Sequence, residues 1–149
     1  MANAQAIATS FKTDSMAGIH AFTTTVVRGT TAADTFKGAL YLTTATIGAA
    51  TTAYSATNEV TGAGYTAGGV TLTWIAPAAT GTTAFTTPSA PLAWTGLTAG
   101  PFDCVLIYNS TQSNKAFASY TFGSQTISAS NFSLTMPTND SANALFRIA

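Results

Sequence analysis

Charge is the scarcest property of this chain. Five Lys or Arg and five Asp or Glu are spread over 149 residues, so 7% are charged, where an ordinary soluble domain has roughly a quarter. The five cations (Lys12, Arg28, Lys37, Lys115 and Arg147) are scattered and the net charge is zero. A nucleic-acid backbone needs a basic face, and an anionic membrane surface needs a polybasic cluster, so neither partner is expected. No apolar run approaches the roughly 20 residues of a membrane-spanning helix. Residues 1–10 have neither the basic start nor the apolar run of a secretion signal, so none is expected. The single cysteine, Cys104, rules out an internal disulfide and suits synthesis in a reducing cytoplasm.

Catalytic groups are equally sparse. With one histidine, His20, and no G-x-S-x-G elbow, a Ser-His-Asp triad has little support, and His20 reads as a structural or surface residue. Cys104 is in phase with Phe102 and Leu106, which reads as a core thiol rather than a nucleophile. One His and one Cys cannot supply a zinc site without unusual carboxylates. Glu59 and Asp103 are a pair that a glycosidase reading would use, but with five acids in all some pair always exists. Thr138-Asn139-Asp140-Ser141, the nearest approach to a calcium loop, reads as a polar turn. Gly62, Gly64, Gly68 and Gly69 suggest a phosphate loop only superficially: no Lys-Ser/Thr follows and no helix opens there. Loop glycines at positive φ are the expectation. Sequons at Asn109, Asn131 and Asn139 read as chance matches in a Ser/Thr-rich chain. No catalytic residue, cofactor or metal is therefore expected.

What the chain has in abundance is threonine, 30 residues, and alanine, 29. Threonine is β-branched and suits a pleated strand, and its hydroxyl can face water without a charge. With 46% hydrophobic residues there is enough for a core, and disorder is not expected.

The spacing predicts one all-β domain over residues 1–149: an antiparallel β-sandwich, of which a jelly roll is one form, with one short N-terminal helix. Residues 1–20 form an arm and that helix, over 11–17, with Ser10 as cap, Asp14 in the first turn and Gly18 at the end. After it the pattern has period two. Strands are expected over 21–27 and 36–43, in the row Val70, Leu72, Trp74 (with Thr71 and Thr73 outward), and through Phe102, Cys104, Leu106 and Tyr108. The opposite row of that last strand (Val105, Ile107) is also apolar, so it is expected to be covered on both sides. Residues 109–115 read as a loop, Gly123-Ser124-Gln125 as a second turn, and 144–148 as a closing strand. Between Ile127 and Phe132 the apolar parity flips, which requires a bulge near Ser130-Asn131. Residues 44–69 and 77–91 read as long loops. Phe11, Tyr54 and Tyr65 are candidate partner contacts.

Thr35-Phe36-Lys37-Gly38-Ala39-Leu40-Tyr41, Thr52-Ala53-Tyr54-Ser55-Ala56-Thr57-Asn58-Glu59-Val60 and Gly64-Tyr65-Thr66-Ala67-Gly68-Gly69, with Leu106-Ile107-Tyr108-Asn109-Ser110-Thr111 and the terminal Phe146-Arg147-Ile148-Ala149, resemble the small Thr/Ala/Gly-rich structural proteins of tailed bacteriophages. The chain is most similar to their capsid decoration, or cement, proteins. The resemblance implies a homo-oligomer on the outer capsid surface of a virion, partnered by the major capsid protein, with no catalytic residues. A tail or baseplate component is the near alternative. A carbohydrate-binding module, built on Tyr54, Tyr65 and Trp94, is the distant one.

Overall fold

The computed structural model describes residues 3–16, 19–23 and 33–149. The chain is all-β and sandwich-like, with two antiparallel sheets and one short helix. In order these are β1 (Ala6–Ile7), α1 (Thr9–Met16), β2 (Phe36–Leu42), β3 (Val70–Leu72), β4 (Ala78–Thr80), β5 (Thr83–Thr86), β6 (Leu92–Asn109), β7 (Lys115–Leu134) and β8 (Phe146–Ile148). The larger sheet runs β1-β7-β6-β2-β3 and the smaller β4-β5-β8.

Strand β6 is central, and both its faces are buried from Cys104 to Asn109, as its two apolar rows require. The covers differ. Phe36, Trp74 and Phe117 of the large sheet meet Phe146 of β8, Phe11 of α1 and Phe22, with Phe11 and Phe117 edge to face at 4.5 Å between ring centroids. This aromatic cluster fills the space between the sheets, and such pairs add to plain area burial. The opposite face, which carries Tyr41, Cys104 and Tyr108 in register, is covered by the 43–69 connection instead of a sheet. Tyr54 of that connection stacks on Tyr108 at 4.6 Å, and Tyr108 donates to the Gly68 carbonyl.

Trp74 is buried and Thr71 and Thr73 are exposed, as the alternation predicts. Thr86 and Thr87 depart from the outward-threonine pattern: both are buried. Thr86 donates its hydroxyl to the Ile75 carbonyl and Thr87 accepts from the Leu145 N–H, joining segments of both sheets.

Several expectations need correction. The helix begins at Thr9, so Ser10 lies inside it and Asp14 lies beyond the first turn. The entry is fixed upstream, where the Ala8 N–H bonds to the Phe117 carbonyl and the Ala8 carbonyl accepts from Phe11 N–H. Gly18, and most of the strand expected over 21–27, lie outside the described residues. Residues 77–91 are not one loop: they hold the β4–β5 hairpin, turned at Gly81-Thr82. No turn breaks β7 at Gly123, because β6 pairs with it along almost its whole length. The register does slip near the predicted bulge, with Leu97 opposite Ser130 but Ala99 opposite Ile127, so that β7 carries an extra residue. Ala129 takes positive φ there, and its N–H is accepted by the Thr98 hydroxyl. The N-terminal arm from Asn3 is held by its own chain: Asn3 bonds to Leu42, Ile47 and Asp103, and β1 pairs with Ala118 and Ser119.

Glycine is required where the 43–69 connection meets β2. Gly69 has φ +72, and a Cβ there would lie 1.9 Å from the Gly38 carbonyl oxygen. Gly81 has φ +60 but nothing within 4 Å. Urea unfolding should therefore separate the two: Gly81→Ala costs about 1 kcal/mol, and Gly69→Ala costs at least about 3 kcal/mol.

Candidate functional site

The densest polar constellation is the one that closes the 43–69 connection over the large sheet. Residues 58–60 run beside β2, with Leu42 N–H to Asn58 carbonyl and Val60 N–H to Leu40 carbonyl, and this turns the Glu59 side chain inward. Glu59 is 4% exposed. Its Oε2 accepts from the Tyr54 hydroxyl at 2.6 Å, and its Oε1 from the Tyr65 hydroxyl and the Gly68 N–H, both at 2.7 Å. Tyr65 also accepts from the Leu40 N–H of β2. A buried carboxylate is costly unless its lone pairs are filled, and here neutral donors fill them.

Burial, and after it the bond to Glu59, raises the phenols of Tyr54 and Tyr65 far above their ordinary range. Burial raises Tyr41, Tyr108 and Tyr120 as well. Burial, with the Asp103 charge second, pushes the Cys104 thiol up to about 12. Cys104 is fully buried, the core thiol that its phase predicts.

A second constellation sits at the β6–β7 turn. Asn109 is fully buried. Its Oδ1 accepts from the Thr111 and Gln112 N–H groups, which fixes the amide orientation. Its Nδ2 then donates to Asp34 and faces His20 Nδ1 at 3.0 Å, so that ring nitrogen is the acceptor. Asp34 also accepts from Ala21 N–H and Gln112 Nε2. Asp14 meets Lys115 Nζ at 3.0 Å and lies 3.8 Å from His20 Nε2. The His20 side chain is 1% exposed, a structural position. The sequon at Asn109 is closed to a glycan in the folded chain by the same burial.

The remaining acids are engaged in the same way. Asp103 accepts from Asn3 Nδ2, and Asp140 closes its own turn on Ala142 and Asn143. Those bonds, led by the Asn143 side chain, hold the Asp140 carboxyl below its ordinary range. All five carboxylates thus accept hydrogen bonds from the protein itself. Glu59 and Asp103 are committed to different segments and do not form a shared acid–base site. Among the described residues no group of three or more His, Cys, Asp or Glu could hold a metal ion, and no helix is long and apolar enough to cross a membrane.

The three candidate contact residues turn inward. Phe11 is 4% exposed, in the aromatic cluster. Tyr54 and Tyr65 are half-buried, stacked on Tyr108 and Trp94, with their hydroxyls on Glu59. Trp94 is 3% exposed, so these aromatics do not make an open sugar platform. A cleft of about 570 Å³ lies between β1, β7 and β8 and is bordered by Gln5, Ser119, Tyr120, Ser141 and Arg147. The Arg147 guanidinium there donates to the Ser141 and Ala142 carbonyls. What the molecule offers outward is the far half of the β6–β7 hairpin. Ala93, Thr95, Thr98, Thr126, Ser128, Ser130 and Ser133 are all exposed there, and no charged residue lies between 92 and 101 or between 121 and 134.

Comparison of the chain with protein-family models, with curated proteins and with solved structures found no match.

Two measurements check this account. Glu59→Gln should cost about 2–4 kcal/mol in urea unfolding, and Tyr54→Phe or Tyr65→Phe about 1–2 kcal/mol each; a Glu59→Gln variant within about 0.5 kcal/mol of the parent would refute the tie. In alkali the folded chain keeps Cys104 and its tyrosines protonated, whereas the unfolded chain releases those protons near the ordinary values of 9.0 and 10.0. The folded state then binds more protons, so the contribution of these groups to stability is constant below about pH 9 and falls above it. Tyrosinate absorbance and thiol labelling should rise together with unfolding and not before it.

Proposed function

We propose that this chain is a structural protein of a tailed-phage virion, of the decoration type, which sits on the outside of the capsid shell and bridges neighbouring major capsid subunits. The observation that carries this reading is the division of its polar groups: every carboxylate is engaged internally, while the long hairpin presents hydroxyls and small apolar groups outward. A surface of that kind meets protein better than it meets nucleic acid or an anionic membrane. The resemblance of residues 35–41, 52–60 and 64–69 to tailed-phage structural proteins supplies the virion.

The action is passive. Many copies each bury neutral surface across a seam between shell subunits, and the linkage opposes outward pressure from a packaged genome. Neutral contacts are screened little by salt. Purified protein mixed with undecorated shells should therefore co-sediment with them almost equally at about 0.1 and about 1 M salt, and should raise the temperature at which the shells open. No co-sedimentation, with no gain in shell stability, would overturn the reading.

A further inference from the structure

The larger sheet ends on β7, and that edge is uneven. Strand β1 covers only Ala118 and Ser119, and the Ala8 N–H reaches Phe117. From residue 121 to residue 134 no strand pairs with the outer edge among the described residues. At a strand rise of about 3.3 Å this open stretch is about 45 Å long. The corresponding half of β6 is treated differently, since Thr98 N–H is accepted by the Ala63 carbonyl of the glycine-rich connection.

Open edges are usually blunted by charge, proline, shortness or a cover. Residues 121–134 hold no Lys, Arg, Asp, Glu or Pro. Their safeguards are irregularities in the strand itself: β7 carries extra residues between Thr121 and Gln125 and between Ile127 and Ser130, where Ala129 takes positive φ, and these bend the edge without placing a charge or a cover on it. The same edge already accepts an antiparallel strand, β1, a few residues away.

We propose that residues 121–134 pair antiparallel with the same residues of a second copy, joining two five-stranded sheets across a two-fold axis. A second copy presents an edge of the same length and the same neutral composition, so a self-pair covers both edges together. A strand opposite itself brings like side chains together near the axis, and like charges would forbid that. Here the side chains near the middle are Thr126, Ser128 and Ser130, exposed hydroxyls that can bond to one another across the pair. The proposal stands whether or not the chain lies on a capsid.

Sedimentation equilibrium of the full chain over about two decades of concentration should show a dimer that dissociates on dilution. Amides of residues 121–134 should exchange more slowly at the concentrated end. The double variant Ser128→Lys/Ser130→Lys, at exposed positions, should weaken association about ten-fold or more with an unchanged circular dichroism spectrum. Thr71→Lys/Thr73→Lys, equally exposed near the opposite edge, should leave association intact. A chain monomeric at every concentration overturns the proposal, as does a dimer untouched by the β7 lysines. Concentration-dependent exchange protection outside 121–134 overturns it too, and that measurement on the parent chain decides the matter even if a lysine variant fails to fold.

Discussion

A buried carboxylate held by three neutral donors is the constraint on which much of this structure rests. Left unsatisfied, the buried Glu59 would cost several kcal/mol. Satisfied by Tyr54, Tyr65 and the Gly68 N–H, it fixes three points of a connection that is otherwise small and polar. That connection has too little apolar surface to stay on a sheet through burial alone. Held by Glu59, it becomes the second cover of the large sheet, seals Cys104, and caps the edge of β6 through Ala63. The sandwich therefore has a sheet on one side of β6 and a hydrogen-bonded loop on the other.

Asn109 serves the opposite end of β6 by the same principle. Its carbonyl organises the turn into β7 while its amide links Asp34 and His20. The only imidazole of the described residues thereby has Nδ1 engaged as an acceptor. The only thiol is sealed beneath the Glu59-tied cover. Groups that would be reactive on an open surface serve here as fasteners, and their low number reflects how few fasteners a small sheet requires.

Period-two alternation exposed the rows that bury apolar side chains: Trp74 with Leu72, and Phe102 with Cys104 and Leu106. The parity flip between Ile127 and Phe132 located the bulge to within a residue or two, because a register slip has no other remedy. Composition failed where side chains act singly. Tyr54 and Tyr65 sit among Gly, Ala and Thr, so local polarity placed them outside; only the long-range pairing of residues 58–60 with β2 brings Glu59 beneath them. A signal did exist, in that one acid lies between two tyrosines in a segment with no cation to pair it. The β4–β5 hairpin was hidden because Ala-Ala-Thr carries no alternation to read. The extra length of β7 was hidden because Gly123 and Ser124 resemble a turn, while the pairing with β6 slips past them and resumes at Thr121 and Gln125 on either side.

The scarcity of charge and the internal use of the acids have one physical origin. A carboxylate that accepts hydrogen bonds from the chain does little to solvate the exterior, and with only five acids few are left for that task beyond Asp140 on its exposed turn. Solubility then falls to hydroxyls, which hydrate a surface without repelling a neighbour. Threonines such as Thr71, Thr95, Thr98 and Thr126 do this on the strands, where β-branching also favours the backbone. The same choice leaves nothing on the far hairpin to hold another neutral strand or surface at a distance. In an ordinary domain that would be a hazard to be blunted with lysine; under the decoration role we propose, it is what contact with a neighbour requires.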